Sequence, residues 1–375
     1  MNLRTIAELG DLKGKVVLLR SSLNVPIQAD GTVRDQFRLE RAVPTMQYLR
    51  EAGAVVVVIG HIGRAEDETL EPVYQALQTH LDLEWCSVWP DDPDVFRQKA
   101  PSTVVLLENL RQYKGETTND PALAQQLARY ADYYVNDAFA NAHRSHTSMV
   151  GIPAVLPSYA GTQLEAEIAA LDAARTPNHP ALFILGGAKF ETKLGLVEEY
   201  LARYDTVFVG GALAHDVMRA RGLEVGRSLV SDISLADAAF VYDERLLVPN
   251  DVVVRRADDS TATVLATEVE ATDIILDCGP ATIALLRPTI EAATTILWNG
   301  PLGNYEAGFQ AGTEALARAI ADSPAQSYVG GGDTVAAIQA INRNDDFTFI
   351  STGGGAMLRY LEAGTLPALE LLCSR

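Results

Sequence analysis

Cysteine is nearly missing from this chain of 375 residues: Cys86, Cys278 and Cys373 are all it has. They are odd in number, far apart and without metal-ligand spacing. That pattern excludes a disulfide framework or a cysteine-built metal site, and predicts reduced, packed thiols of a cytoplasmic protein. Long apolar runs are missing too. The longest, AVVVVIG at 54–60, is far too short to span a bilayer. The opening MNLRTIAELGDLKGK carries acids early and has no apolar h-region, so no secretory signal is expected.

Lysine is a third scarcity. Only six of the 30 basic residues are lysine, and Lys193 is the last of them. Acids number 49, and the net charge of −19 repels both nucleic acid and anionic membrane, so neither is expected as a partner. Against such a background the position of each cation is informative. No repeat of 20–50 residues is present, which excludes a solenoid. No G-x-x-x-x-G-K-[ST] loop occurs, and no strand leads into G-x-G-x-x-G with an acid about twenty residues on. The second absence weighs against a dinucleotide-dependent dehydrogenase.

What is present is 48% hydrophobic and 21% charged residues, the composition of a folded globular protein. The length allows two domains of ordinary size. Short Val/Ile/Leu/Phe runs recur at intervals that leave room for helices. In the first half they are VVLL (16–19), AVVVVIG (54–60), TVVLLEN (103–109) and DYYVND (132–137). In the second they are ALFILGG (181–187), DTVFVGG (205–211), TTILWNG (294–300), SYVGGG (327–332) and FTFISTGGG (347–355). Continuous runs of this length suit strands buried on both faces. Helical patterns such as 38–53 and 333–342 separate them, so the expected fold is α/β. It comprises two doubly wound parallel-sheet domains, joined by a helix and facing across a cleft. The linking helix is placed at 161–176, where Leu164, Ile168 and Leu171 share a face and TPNHP stops the pattern. The domains are then 1–160, with 360–375 packing back on it, and 177–359.

Ligands of open α/β sheets collect beyond the carboxyl ends of the strands. In the second half those ends are GGAK, GGALA, NGPLGNYE, GGGDT and STGGGA, which offer backbone N–H groups at helix N-termini to a polyphosphate. In the first half they carry side-chain cations: RSSLN (20–24), GHIGR (60–64), ENLR (108–111) and NDAFANAHRSH (136–146). Arg38 and Arg41 open the first helix. Arg64, Arg111, Arg144, His61 and His143 read as a basic pocket for a compact phosphorylated or carboxylated molecule. Two anionic ligands on two domains imply phosphoryl transfer. In LFILGGAKFETK (182–193) two lysines fall where a helix dipole disfavours them, by about 0.3–1 kcal/mol each. That penalty is small beside the roughly 10³–10⁵ in rate that a transition-state cation supplies.

With these strand ends aligned, the chain closely resembles phosphoglycerate kinases from about residue 3 to residue 370. The motifs occur in order: KGKVVLLR…LNVP, GHIGR, LLENLRQYKGE, YVNDAFANAHRSH, ILGGAKFETK, LWNGPLGNYE, YVGGGDTVAA and STGGGA. The resemblance implies 3-phosphoglycerate or 1,3-bisphosphoglycerate and ADP or ATP as substrates, Mg2+ as cofactor, and a monomer. It implies that Asn24, Arg38, His61, Arg64, Arg111 and Arg144 face the phosphoglycerate, and that Arg38 and Lys193 neutralise the phosphoryl in flight. Gly186, Lys189 and Lys193 would border the nucleotide, Gly210 and Gly211 its adenine side. Asn299 and Pro301 would flank it and Glu306 would hold the ribose. Asp333 would meet the magnesium ion and Thr334 the phosphates. Gly330, Gly331 and Gly332, with the 353–355 turn ending in Gly355, would aim helix N-termini at the phosphate path.

Three positions depart from the family pattern. Ser22 stands where an aspartate contacts the substrate hydroxyl, Ala166 where a lysine is usual, and Arg359 where an acid is usual. Losing the charged contact at Ser22 would weaken glycerate binding by roughly 1.5–3 kcal/mol at most. A related kinase acting on another small carboxylate, or a nucleotide-binding protein with weak catalysis, are the alternatives. The stretch 212–275 is shorter and more divergent than the family usually shows.

Overall fold

The computed structural model describes residues 2–188, 193–235 and 238–373. The chain divides into two compact units, Met1–Ala169 with Ala363–Arg375, and Ala170–Glu362. In the first, β1 (Val16–Ser21), β2 (Val55–Ile59), β3 (Glu84–Cys86), β4 (Val104–Leu107), β5 (Tyr133–Asp137) and β6 (Ser158–Ala160) make one sheet in the order β3-β4-β2-β1-β5-β6. All of its pairings are parallel. Every residue of β1, β2 and β4 is buried, because helices cover both faces and branched valines fill the pleat. Successive side chains enter opposite cores. Val17, Leu19, Val56 and Val58 pack with Leu39, Met46 and Leu49 of the helix Phe37–Glu51; Val16, Leu18, Val55 and Val57 pack with Phe96, Leu123 and Leu127.

The C-terminal segment returns to this unit. Arg4 donates its amide to the Leu372 carbonyl (2.8 Å), Ala368 donates to Ala142 (3.2 Å), and Leu3 bridges to Cys373.

In the second unit β7 (Ala181–Leu185), β8 (Thr206–Val209) and β9 (Leu246–Leu247) run to one side of the sheet. A separate sheet follows, built from β10 (Asp251–Arg255), β11 (Thr261–Leu265) and β12 (Ile274–Cys278). The chain then returns through β13 (Thr295–Asn299), β14 (Gln326–Gly330) and β15 (Phe349–Ile350). The large sheet is parallel in the order β15-β14-β13-β7-β8-β9. The small one is antiparallel, β11-β10-β12, and was not expected from the sequence. Its first connection, residues 256–260, is too short for a crossover helix and allows only a hairpin. In each large sheet the chain order reverses once, beside β1 in the first and between β7 and β13 in the second. A crevice opens at such a point because neighbouring strands send their chains in opposite directions.

The division between units falls inside the helix Thr162–Arg175, on which Leu164, Ile168 and Leu171 are buried. Asp137, at the end of β5, starts this helix. Its Oδ1 accepts the amides of Gln163 (2.9 Å) and Leu164 (3.1 Å). Only glycine fits at 161, where a Cβ would lie 2.3 Å from that oxygen. Burial pushes the Asp137 carboxyl up to about 6, against the lowering effects of the Thr45 hydroxyl and then of the two amide bonds. An acid with a higher pKa folded than unfolded binds protons on folding, so its stabilising contribution is lost as pH rises from 3.8 to about 6. Asp137→Asn keeps the capping oxygen and removes the titration. The stability of this variant relative to wild type is therefore expected to rise across that window, by on the order of 1–3 kcal/mol. Urea unfolding at pH 4, 5, 6 and 7 checks it; a pH-independent difference would contradict the assignment.

Candidate active site

At the carboxyl end of the first sheet the determining group is Arg20, a fully buried guanidinium at the end of an otherwise apolar strand. A buried charge of this kind is tolerable only when its donors are matched. Its Nε donates to Ser148 Oγ (3.1 Å), Nη1 to the Ser21 carbonyl, and Nη2 to His61 Nδ1 (3.0 Å). Behind it, the Glu116 carboxylate accepts the hydroxyl (2.6 Å) and the amide (2.9 Å) of Ser148. Burial raises Glu116, and the Arg20 charge opposes that rise. A guanidinium has no acceptor, so His61 Nδ1 must be the unprotonated nitrogen and Nε2 the donor. Burial, and then the charges of Arg20, Arg111 and Arg144, push His61 down to about 2. His61 is therefore a neutral N–H donor throughout the working pH range. His146 is pushed down to about 4, first by burial and then by Arg111 and Arg144.

The loops after β2 and β4 are held by amide side chains. Asn109 Oδ1 accepts the amides of Ile62 (3.2 Å) and Arg111 (3.0 Å), and its Nδ2 donates to the carbonyls of Ile62 and Glu68. Glu68 accepts the amides of Arg64 and Ala65, both at 2.6 Å. Asn24 ties two more predicted residues together: its Oδ1 accepts the Gly63 amide (2.9 Å) and its carbonyl accepts Arg38 Nη1. Arg64 and Arg144 are exposed, and Arg111 is half-buried with Nε unpartnered among the described residues. Burial lowers Arg111, and the neighbouring Arg144 charge lowers it further. Three guanidinium groups and a neutral imidazole converge here, and the nearby Glu68 carboxylate is engaged by the amides of Arg64 and Ala65. The cluster is shaped for an anion. Ser22 is buried beside Arg20 in the chain, its Oγ without a partner among the described residues.

The second unit holds a cavity of about 840 Å³ at its switch point. There β7 and β13 close on one another through backbone alone. Gly186 donates to the Asn299 carbonyl (2.8 Å), Gly187 to Pro301 (3.0 Å) and Gly211 to Leu302 (3.1 Å). A Cβ on Gly186 would sit 2.2 Å from the Pro301 oxygen. Three helices, Ala212–Ala220, Gly332–Ala340 and Gly354–Ala363, begin at the cavity wall. The first two of these helices have glycine N-caps, Gly211 and Gly331, which supply no side-chain cap. In Ala212–Ala220 the Leu213 amide is spent on the Gly187 carbonyl (3.1 Å), whereas the first amides of Gly332–Ala340 are left for a ligand.

Lys193 precedes the helix Leu194–Leu201 and lines the same cavity, its Nζ donating to the Gly186 carbonyl at 2.6 Å. Burial brings it down to about 8. Asp333, in the first turn of Gly332–Ala340, is raised by burial and then by the charge of Glu306.

Of the predicted nucleotide residues, Lys193, Gly211, Asn299, Pro301, Glu306, Gly331, Gly332, Asp333 and Gly355 line the cavity. Gly186, Gly210 and Gly330 stand behind its wall, where close packing accounts for the missing side chain: a Cβ on Gly210 would meet Leu302 at 2.5 Å, and one on Gly330 would meet Met357 at 2.4 Å. Thr334 is fully buried, its Oγ1 accepting the Gly300 amide at 2.9 Å. Lys189 lies outside the described residues. Gly332 and Gly355 differ from the packed glycines, since a Cβ on either would meet nothing within 4 Å. Both are exposed on the cavity side, so the protein itself leaves room for a side chain at either position. Arg359 and Ala166 are exposed on their helices.

The sequence reading marked Arg20 as a strand-end cation in RSSLN without placing it in the pocket, and missed Glu116, Ser148 and Asn109. A single charge ending the run VVLLR was the available signal for Arg20. The others act through contacts distant in sequence and carry no local signature.

The phosphoglycerate kinase family model matches residues 6–364. The chain is 44% identical to a phosphoglycerate kinase of Rubrobacter xylanophilus over 391 aligned positions, covering 100% of this chain and 99% of that one. It is 40% identical to one from Thermus thermophilus, covering 99% and 100%. Among solved structures, phosphoglycerate kinase from Coxiella burnetii superposes with a TM-score of 0.85 at 35% identity, over 99% of this chain and 98% of that one. The cation cluster, the amide-lined cavity and these likenesses over nearly the whole length agree: the chain belongs to the phosphoglycerate kinase family.

Proposed function

We propose that this phosphotransferase moves the acyl phosphate of 1,3-bisphosphoglycerate reversibly to MgADP, giving 3-phosphoglycerate and ATP, the glycolytic reaction. One observation carries the reading. A single chain pairs a guanidinium and imidazole cluster at one sheet end with an amide-lined cavity at another, so it is equipped for two different anions. Arg64, Arg111, Arg144, Asn24 and His61 hold the phosphoglycerate, with Arg20 positioning His61. Lys193 and Arg38 stabilise the transferring group as charge moves onto its oxygens. The amides at Gly332 and Gly355 receive phosphate oxygens at close range, and Glu306 takes the ribose.

Mg2+ suits the acids present. Asp333 is a hard oxygen donor, raised by burial and by the charge of Glu306, and no group of three or more His, Cys, Asp or Glu forms a metal cage among the described residues. That is the donor set of an ion held by one or two carboxylates and by the nucleotide's own phosphates. When bound, it neutralises phosphate charge. The three free cysteines support a cytoplasmic setting, and no helix among the described residues is long and apolar enough to cross a membrane.

A coupled assay for ADP formation from MgATP and 3-phosphoglycerate tests the reaction. Turnover of tens per second is expected, and Arg38→Ala should lower kcat by about 10³ or more while nucleotide affinity changes little. Wild-type enzyme without turnover would sink the proposal. Equal turnover of an analogue lacking the 2-hydroxyl would favour another small carboxylate as substrate, which the unpartnered Ser22 hydroxyl would permit.

The Lys193 ammonium is lost as pH rises through about 8 in the free enzyme. Since kcat/KM reports free-enzyme groups, its value for the nucleotide should fall above that pH, and Lys193→Arg should remove this basic limb while lowering the plateau. A basic limb unchanged in the arginine variant would assign the titration elsewhere.

The glycines separate packing from ligand approach. Gly332→Ala and Gly355→Ala should leave thermal stability unchanged or higher, by up to about 1 kcal/mol from helix propensity, yet lower kcat/KM for nucleotide at least tenfold. Gly186→Ala should instead destabilise the fold. Melting curves beside kinetics decide this, and normal kinetics in both helix variants would refute the phosphate role.

A further inference from the structure

The cavity has one end without charge. Met218, Leu229, Pro249, Val252, Ile274 and Leu276 line it and offer no polar side-chain atom. Local hydrogen bonds hold this wall together: Gly226 bridges to Ile274, and Ile275 donates its amide to Ser228 Oγ (2.8 Å). Into this setting the helix Ala212–Ala220 projects His215, 5% exposed and itself part of the cavity lining.

His215 Nδ1 lies 2.8 Å from the Leu229 carbonyl oxygen. A carbonyl only accepts, so Nδ1 carries the proton. Burial lowers the pKa of the ring below its ordinary value, against the opposing effects of the Leu229 carbonyl and then of Asp216. The imidazole is therefore neutral, and its Nε2 is an acceptor. Nε2 has no hydrogen-bond partner among the described residues. The neighbouring Asp216 is already engaged, its Oδ1 accepting from Arg219 (3.2 Å) and from the Ser231 amide (3.0 Å).

We infer that His215 reads the nucleobase, its Nε2 accepting a hydrogen bond from the 6-amino group of adenine. The inference rests on the assignment of this cavity to a nucleotide. An apolar slot holds any purine by its faces, so an acceptor on its lining discriminates among them. Adenine presents an N–H at position 6, hypoxanthine and guanine present an oxygen whose lone pairs oppose those of Nε2, and unsubstituted purine presents only C–H. A base that leaves Nε2 unpaired forfeits the bond and keeps the desolvation penalty.

The test is kcat/KM for MgATP, MgITP and the magnesium complex of purine riboside 5′-triphosphate, each with saturating 3-phosphoglycerate. Wild type should prefer ATP over purine riboside triphosphate by about five- to tenfold, and over ITP by at least as much. His215→Phe, which keeps the ring volume and lacks the acceptor, should bring the ATP-to-purine ratio within twofold of unity. His215→Gln, whose amide oxygen can accept, should retain part of the preference. A ratio in His215→Phe equal to that of wild type would overturn the inference. So would a wild type that does not distinguish the two nucleotides, a result that stands even if the phenylalanine variant fails to fold. A wild type that turns over none of the three overturns the nucleotide assignment itself, and the inference with it.

Discussion

The close approach of β7 and β13 is the contact on which the second unit's site depends. Gly186 donates to Asn299 with no side chain between the two strand ends, and a Cβ there would strike the Pro301 carbonyl at 2.2 Å. Because the strands meet through backbone, the turns that follow them, 186–188 and 299–301, lie side by side. Gly211 then reaches the Leu302 carbonyl, and Thr334 anchors Gly300. The result is a wall of peptide groups with helix N-termini behind it. Such a wall binds phosphate through partial charges that never titrate and need no reorganisation. Among the described residues it is joined by the cation of Lys193, whose ammonium rests on a carbonyl and is depressed by burial.

The first unit meets the opposite problem, which is to hold an anion in a chain whose net charge is −19. It does so with full charges gathered at strand ends and with the neighbouring Glu68 and Glu116 engaged by backbone amides and the Ser148 hydroxyl. Arg20 is the extreme case. A guanidinium buried in a sheet is stable only because Ser148, the Ser21 carbonyl and His61 take its donors, and because the Glu116 carboxylate lies behind Ser148. Its presence forces the His61 tautomer and keeps that ring uncharged. The basic cluster therefore combines the permanent charges of its arginines with a neutral donor at His61.

The glycines divide into two populations that look alike in one dimension. Gly186, Gly210, Gly300 and Gly330 are demanded by neighbouring protein atoms, and Gly211, Gly300 and Gly331 by positive φ angles of 62°, 96° and 110°. Gly332 and Gly355 are demanded by neither. In the motifs GGGDT and STGGGA nothing local separates the two kinds, since the difference lies in what occupies the space above each residue.

The sequence by itself determined a great deal: two large parallel sheets, most of their strands, the linking helix with its buried Leu164, Ile168 and Leu171, and the family. Those features follow from hydrophobic periodicity and from motif order, both of which are written along the chain. Strands of two or three residues, β3, β6 and β9, escaped because they exist only as partners of longer neighbours. The antiparallel β10-β11-β12 sheet escaped because Thr261–Leu265 has one exposed face and too little apolar content to stand out. Only the tertiary structure decided that Arg20 is buried and sets the His61 tautomer, that Thr334 is spent on Gly300, which glycines are open, and that His215 carries a lone pair in an apolar slot. Each depends on an atom contributed by a residue remote in sequence. Hydrogen bonding, desolvation and steric exclusion act through space, over distances that the order of residues does not encode.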